Sequence, residues 1–103
     1  MNKYGLHGKL TATGGKGEQL ATILLEASRL VASAKGCHLY LVSQDQAHPD
    51  DVWITEVWDS KEDHDHSLKD EKVRALITQA MPLLAGKPEK GQVLDVLGGA
   101  GIS

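Results

Sequence analysis

The sequence predicts an α+β fold of the ferredoxin-like type, a four-stranded antiparallel sheet with its helices on one face. Segments of alternating apolar residues and segments of helical periodicity follow one another in the order β-α-β-β-α-β, which is the split βαβ pattern. The chain has 103 residues, the size of a single domain. We therefore expect one domain over residues 1–97 and a loose C-terminal tail over residues 98–103.

A strand followed by a long helix opens the chain. Residues 4–13 (YGLHGKLTAT) alternate as in a strand, and alternation places four of them on one face: Tyr4, Leu6, Gly8 and Leu10. Residues 17–34 then show strong helical periodicity, with an apolar stripe formed by Leu20, Ile23, Leu24, Ala27, Leu30 and Val31. Gly36 follows this helix as a candidate left-handed cap.

The next two segments predict a pair of strands joined by a polar loop. Residues 37–43 (CHLYLVS) form the second strand, and alternation places Cys37 with Leu39 and Leu41 on the face opposite Tyr40 and Val42. Residues 52–58 (VWITEVW) form the third strand, because they are rich in β-branched and aromatic residues.

Two short helical pieces and a last strand complete the predicted fold. Ser60 begins SKED, which resembles a capping box with Asp63 in the glutamate position, so we expect a helix to about residue 67. Asp70 can cap a second piece, and Pro82 should bend or end it. Residues 92–97 (QVLDVL) then form the fourth strand.

Apolar residues on both faces of the predicted sheet indicate a homodimer. In the third strand, Ile54 and Trp58 lie opposite Trp53 and Val57, so the strand lacks the alternation of a sheet with one solvated face. Helices on one side cannot cover both faces, and an exposed apolar patch favours association. We expect a second copy to cover the other face, with Trp53 and His7 in the interface.

Composition excludes several classes of protein. The formal net charge is −3 and no cluster of Lys and Arg occurs, so we expect no nucleic-acid partner. No apolar run reaches the ~20 residues that span a bilayer, and the N-terminal segment has no signal-peptide core. We therefore expect a cytoplasmic protein without a membrane partner. Cys37 is the single cysteine, which excludes an intramolecular disulfide and a Cys-only metal site.

Two segments carry a resemblance to a known family. TEVWDSKEDHxxSL places a tryptophan at the end of a strand directly before a capped helix, and KGCHLYLV follows a long amphipathic helix. In this order and at this spacing, they resemble the antibiotic biosynthesis monooxygenase family, and the likeness extends over essentially the whole chain. The resemblance implies a dimeric α/β barrel with a small pocket between the sheet and the helices of each protomer.

The resemblance also implies a chemistry. Members of this kind oxidise quinol- or anthrone-like aromatics with O2 and use no flavin, haem or metal, so we expect no cofactor. A deprotonated, electron-rich phenol can pass an electron to O2 itself. The protein then has to bind the substrate, move a proton, stabilise the anion and exclude water.

The family is functionally mixed, and this sequence departs from two of its patterns. Haem-degrading members use a Trp, a His and an Asn where an ungapped alignment places Ser67, Ile77 and Gly8, so haem degradation is disfavoured. Members that act on aromatic polyketides use an Asn four residues before the strand-three Trp and a Tyr six residues after it. Those positions hold Ile54 and His64 here, while Trp58 matches.

The predicted catalytic residues are His64 and Glu56. On a helix, His64 shares a face with Ser60 and Leu68, and histidine is a competent base near neutral pH. Glu56 either accepts a proton in the pocket or forms a structural ion pair with a Lys or Arg. His66 lies about 200° around the helix axis and should face away, so the two histidines do not form a metal site, since chelating pairs are spaced i, i+4.

The predicted substrate-binding residues are apolar or small, as a pocket for an aromatic ligand requires. Trp58 either walls this pocket or packs in the core. Gly8, inside a strand, either leaves room for a flat ligand or marks a bulge. The complete set of predicted substrate-binding residues is Trp58, Ile54, Leu6, Gly8, Leu10 and Leu68.

Two other functions remain compatible with the sequence. An isomerase or tautomerase on the same fold would not use O2, and an anionic substrate would require a cationic pocket. Lys9 is the nearest basic strand residue and should face the other way. A non-catalytic dimer that binds an aromatic ligand is the third possibility, because the Asn and Tyr of the polyketide-oxidising members are missing.

Overall fold

The computed structural model describes residues 2–88 and 90–102. Over these residues, four strands and three α-helices follow the predicted order, with a 3₁₀ turn at Met81–Leu83: β1 Lys3–Thr11, α1 Gly17–Val31, β2 Cys37–Gln44, β3 Asp51–Trp58, α2 Lys61–Ser67, α3 Glu71–Ala80 and β4 Gln92–Val96. The strands pair in an antiparallel sheet of order β2-β3-β1-β4. The predicted ferredoxin-like fold is confirmed.

Side-chain caps begin the two short helices where the sequence predicts them. The Asp63 N–H donates to Ser60 Oγ at 3.2 Å, and the Asp70 carboxylate accepts from the N–H groups of Lys72 and Val73. Each cap satisfies backbone donors that have no partner inside the helix. Because Ser60 fixes the start of α2, it also fixes the direction in which each later residue of that helix points.

The first strand and the first helix end earlier than predicted. β1 ends at Thr11 because the next residues turn toward the 3₁₀ segment, where the Thr13 N–H donates to the Leu83 carbonyl at 2.7 Å. α1 ends at Val31 with Ala32 as its C-cap, so Gly36 does not cap this helix as predicted. Gly36 instead takes a left-handed φ of 83° in the turn that leads into β2, where the Cys37 N–H donates to the Ala34 carbonyl at 3.2 Å.

α3 ends at Ala80, as Pro82 predicts, and continues into the 3₁₀ turn. Among the described residues, no helix is long and apolar enough to cross a membrane. Beyond β4, Gly99 and Ile102 form an isolated bridge that closes a tight turn.

The helices pack against one face of the sheet and create two buried clusters there. Near the start of α1, Leu20 and Leu24 pack with Val52 of β3 and Ala80 of α3. At the other end, Trp58 packs between the sheet and the helices, in a second cluster with Val31 and Val73. The space between these clusters holds the candidate site.

A β-bulge at the start of β2 corrects the predicted position of Cys37. Cys37 pairs with Trp58 and Leu39 pairs with Val57, so one extra residue, His38, is inserted in β2. The insertion moves Cys37 to the helix face with Tyr40, instead of the face that carries Leu39. The alternation predicted for the rest of the strand is correct.

The other face of the sheet exposes apolar side chains, as predicted. Leu41 is 49% exposed and Leu94 is 46% exposed. The His7 ring stacks on Trp53 with centroids 5.0 Å apart, and Lys9 Nζ lies 5.9 Å from the Trp53 ring centroid. His7, Lys9 and Trp53 therefore point away from the helices.

Candidate active site

An apolar cavity of about 240 Å³ lies between the helix face of the sheet and the helices. Most of its wall is aliphatic and comes from α1 and α3, for example Leu24, Ala27, Leu76 and Ile77. The polar side chains in the wall are Tyr40, Glu56, His64 and Ser67. A concave apolar site with a few polar groups is typical of small-molecule binding.

The predicted site residues divide between this cavity and a neighbouring one. The main cavity is lined by four of the predicted residues: Leu10, Glu56, His64 and Leu68. A second cavity of about 190 Å³ is lined by predicted residues from β1 and β3: Leu6, Gly8, Leu10, Ile54 and Glu56. Leu10 and Glu56 belong to both cavities, so they form the boundary between them.

Gly8 permits a close backbone approach. A Cβ at Gly8 would lie 3.1 Å from the Cα of Gly91, which is tighter than most Cβ contacts in proteins. The pairing of β1 with β3 is regular through Gly8, so the residue does not mark a bulge. The missing side chain therefore lets the segment before β4 pass close over β1, and it leaves Gly8 as part of the second cavity wall.

Trp58 lies behind the cavity wall. Its side chain is completely buried, and its indole Nε1–H donates to Glu56 Oε1 at 3.0 Å. The Trp58 ring also meets the His64 ring edge-on, with centroids 5.8 Å apart and an interplanar angle of 79°. Trp58 therefore holds both candidate catalytic side chains in place while packing in the core.

Glu56 is a carboxyl group in an apolar environment. Its side chain is 14% exposed. Burial raises the pKa of Glu56 above its ordinary value, and the hydrogen bond from Trp58 and the charge of His64 oppose that rise. Among the described residues, the ion-pair partner of Glu56 is His64, with Nε2 at 3.9 Å from Oε1. The predicted Lys or Arg partner does not appear there.

His64 points into the cavity, as the helical spacing predicts. Its side chain is 14% exposed, while His66 of the same helix is exposed. His64 Nδ1 lies 3.0 Å from Asp65 Oδ1, and the His64 ring lies 5.7 Å from the Tyr4 ring. Glu56 and His64 thus bring two proton-transfer groups together at one end of an apolar cavity.

Tyr40 is a cavity residue that was not predicted from the sequence. Tyr40 lines the cavity, and its pKa is raised, first by burial and then by the Glu56 charge. Its hydroxyl therefore stays protonated and can donate a hydrogen bond to a bound oxygen. Strand alternation could have identified Tyr40, because it places this residue on the face opposite Leu39 and Leu41.

Within residues 2–88 and 90–102, no group of three or more His, Cys, Asp or Glu side chains is arranged to hold a metal ion. Function without a metal or cofactor stays a prediction.

Replacing Glu56 by glutamine should increase stability more at neutral pH than at acidic pH. The folded protein holds the Glu56 proton more tightly than the unfolded chain, so stability from Glu56 is present below its unfolded pKa and is lost as pH rises through the raised folded value. A glutamine side chain does not ionise, and its amide oxygen keeps an acceptor for Trp58 Nε1–H. Urea denaturation at pH 4 and pH 7 measures the difference.

The exposed Glu62, in the first turn of α2, provides the control for this substitution. Glu62→Gln should show no comparable gain between the two pH values. A Glu56→Gln variant whose advantage shrinks as pH rises would show that ionised Glu56 is favoured in the folded protein.

Comparison with known proteins gives one family match and many structural matches. A family model described as antibiotic biosynthesis monooxygenase matches residues 4–79. A crystal structure from Chloroflexus aurantiacus J-10-fl, named for the same family, is 42% identical, covers 98% of this chain and 99% of its own, and has a TM-score of 0.87. No curated protein matches the chain.

Two further structures named for the family are more distant. The one from Deinococcus radiodurans is 26% identical, covers 97% of this chain and 96% of its own, and has a TM-score of 0.74. The one from Caulobacter crescentus CB15 is 20% identical and covers 93% of this chain and 91% of its own. Its TM-score of 0.83 shows a shared fold. The family model includes β3 and α2, which carry Glu56 and His64.

Proposed function

The chain belongs to the antibiotic biosynthesis monooxygenase family, and on that premise we propose that it is a cofactor-independent monooxygenase for a small quinol- or anthrone-like aromatic. The observation that carries this proposal is the apolar cavity with Glu56 and His64 together in its wall. An aromatic ring fits such a wall, and a phenolic hydroxyl fits its polar end. No Lys or Arg lines the cavity among the described residues, which favours a neutral substrate.

The polar groups of the cavity can supply the deprotonation that starts the reaction. His64 takes the proton of a phenolic hydroxyl, and the Tyr40 hydroxyl donates a hydrogen bond to the oxyanion that forms. The electron-rich anion reduces O2, one oxygen atom bonds to the ring, and the other leaves as water. A hydroquinone and O2 thereby give a hydroxyquinone and water, which balances atoms and the four electrons transferred.

Oxygen consumption tests this function directly. Purified, EDTA-treated protein is added to hydroquinones, naphthoquinols and anthrones, with a no-protein control for autoxidation. We expect protein-dependent uptake with at least one substrate, and one atom of ¹⁸O in its product when ¹⁸O₂ is supplied. Uptake that never exceeds autoxidation over the whole panel would contradict the proposal.

A proton-transferring isomerase is the second candidate. It is favoured by the 3.9 Å separation of Glu56 Oε1 and His64 Nε2, because two such groups can move a proton between two atoms of a substrate without O2. The absence of Lys and Arg from the described cavity wall disfavours phosphorylated substrates. Turnover that continues under anaerobic conditions would identify this activity, while tight binding of the aromatics without any turnover would identify a binding protein.

We also propose that two copies associate through the sheet face opposite the helices. Leu41, Leu94 and Trp53 lie on that face, so Leu41→Glu should shift the protein from dimer to monomer because it buries a charge in the interface. Sedimentation velocity measures the change. Leu25→Glu is the matched control, since Leu25 is a similarly exposed leucine on α1. A wild-type protein that sediments as a monomer would contradict the dimer.

A further inference from the structure

The side chain of His64 is held from both sides. Its Nδ1 lies 3.0 Å from Asp65 Oδ1, while its Nε2 lies 3.9 Å from Glu56 Oε1 at the cavity wall. The other oxygen of Asp65, Oδ2, accepts from Lys61 Nζ at 2.6 Å. These contacts form a continuous series from the surface of α2 to the cavity.

The charge state of Asp65 determines which nitrogen of His64 carries the proton. Hydrogen bonds from Lys61 and then from His64 keep the pKa of Asp65 below its ordinary value, so its carboxylate is ionised at neutral pH. An ionised carboxylate can only accept a hydrogen bond. The neutral His64 ring must therefore carry its proton on Nδ1, which leaves the lone pair of Nε2 directed toward the cavity.

We propose that Asp65 is a positioning residue that fixes the tautomer and ring orientation of His64 so that Nε2 serves as the base. The inference rests on the proposed function of His64 and adds a residue to it. The general arrangement, a base oriented by a third group, recurs in enzymes that activate a hydroxyl. Asp65 does not line the cavity, so it acts through His64.

Other groups contact His64 without performing this role. Glu56 of β3 and Tyr4 of β1 lie beside the ring, and Tyr40 of β2 lines the same cavity. The Ser67 hydroxyl donates to the His64 backbone carbonyl at 2.6 Å and does not reach the imidazole. The Asp65 carboxylate, in contrast, is within hydrogen-bond distance of His64 Nδ1.

A surface ion pair is the competing explanation for Asp65. Its side chain is 45% exposed, and Lys61 and Asp65 are spaced i, i+4 on α2, where such pairs add a little helix stability. Lys61→Ala removes that pair and leaves Asp65 beside His64. Asp65→Ala removes both contacts, so the two variants separate the explanations.

Nitrogen-15 NMR of the His64 ring provides a test that does not depend on activity. In the wild type, the neutral ring should be protonated on Nδ1, and Lys61→Ala should keep that tautomer. Asp65→Ala should move the proton toward Nε2 in a substantial part of the molecules. The same tautomer in wild type and Asp65→Ala would overturn the proposal.

Steady-state kinetics provides the second readout. Asp65→Ala should lower kcat/KM for oxygen uptake about tenfold, the lower end of what orienting partners of a histidine contribute in metal sites. Lys61→Ala should leave kcat/KM within about twofold of the wild type, as for most surface substitutions.

The two readouts distinguish failure of this inference from failure of the proposed function. Unchanged kinetics in Asp65→Ala, with uptake by the wild type, would overturn the positioning role. A wild type without oxygen uptake would overturn the monooxygenase proposal, and the tautomer comparison would still decide whether Asp65 positions His64.

Discussion

Replacing His64 by alanine is expected to lower kcat/KM for oxygen uptake about 100-fold or more, the usual contribution of a positioned general base. His64 is largely enclosed at the cavity wall, with Nε2 near Glu56 and Nδ1 on Asp65. Alanine removes the base and leaves space at the polar end of the cavity. The substrate would then have to lose its proton to water, which an apolar cavity excludes.

His66→Ala is the matched control for this prediction. His66 lies two residues further along α2 and is exposed, so its loss should leave oxygen uptake within about twofold of the wild type, as for most surface substitutions. Circular dichroism should show that both variants are folded. Uptake by His64→Ala within about tenfold of the wild type would mean that Glu56 or another group removes the proton.

The fold could be predicted from local patterns because each of those patterns has a local physical cause. The periodicity of α1, the caps at Ser60 and Asp70, and Pro82 all act within a few residues of chain, and the structure places each as predicted. The family could be recognised for the same reason. A strand that ends in Trp58 directly before a capped helix is a local arrangement with a fixed spacing.

The site could be predicted only in part, because its walls come from distant segments. His64 was predicted from helical spacing together with the family resemblance, and Glu56 was predicted from strand alternation. Trp58 does not line the cavity because the helices close over it, which no local pattern records. The bulge at His38 moves Cys37 to the other face, and the contact of Gly8 with Gly91 depends on how the chain returns to β4. These features depend on pairing between segments.

Two residues with different predicted roles lie at the boundary between the two cavities. Leu10 was predicted to bind substrate and Glu56 to handle a proton, and both lie at the boundary. On the proposed function, we expect the hydroxyl of an aromatic substrate to lie near Glu56, where the two cavities meet.

Trp58→Ala should lower the free energy of unfolding by about 3–5 kcal/mol, the range for truncating a large buried aromatic side chain. Trp58 is completely buried and packs with Val31 and Val73. Single domains have a total stability of only about 5–15 kcal/mol, so this variant should be close to unfolding at moderate temperature. Urea denaturation followed by far-ultraviolet circular dichroism measures the loss.

Trp58→Phe separates packing from hydrogen bonding in this prediction. Phenylalanine keeps much of the buried surface but has no donor for Glu56, so the loss of stability should be about 1–3 kcal/mol, the cost of one unsatisfied buried group. The Trp58 hydrogen bond opposes the rise in the pKa of Glu56, so that pKa should increase further in Trp58→Phe. If Phe costs as much as Ala, the hydrogen bond to Glu56 is what Trp58 mainly supplies. If Phe costs nothing and leaves the Glu56 titration unchanged, Trp58 is a core residue with no influence on the site.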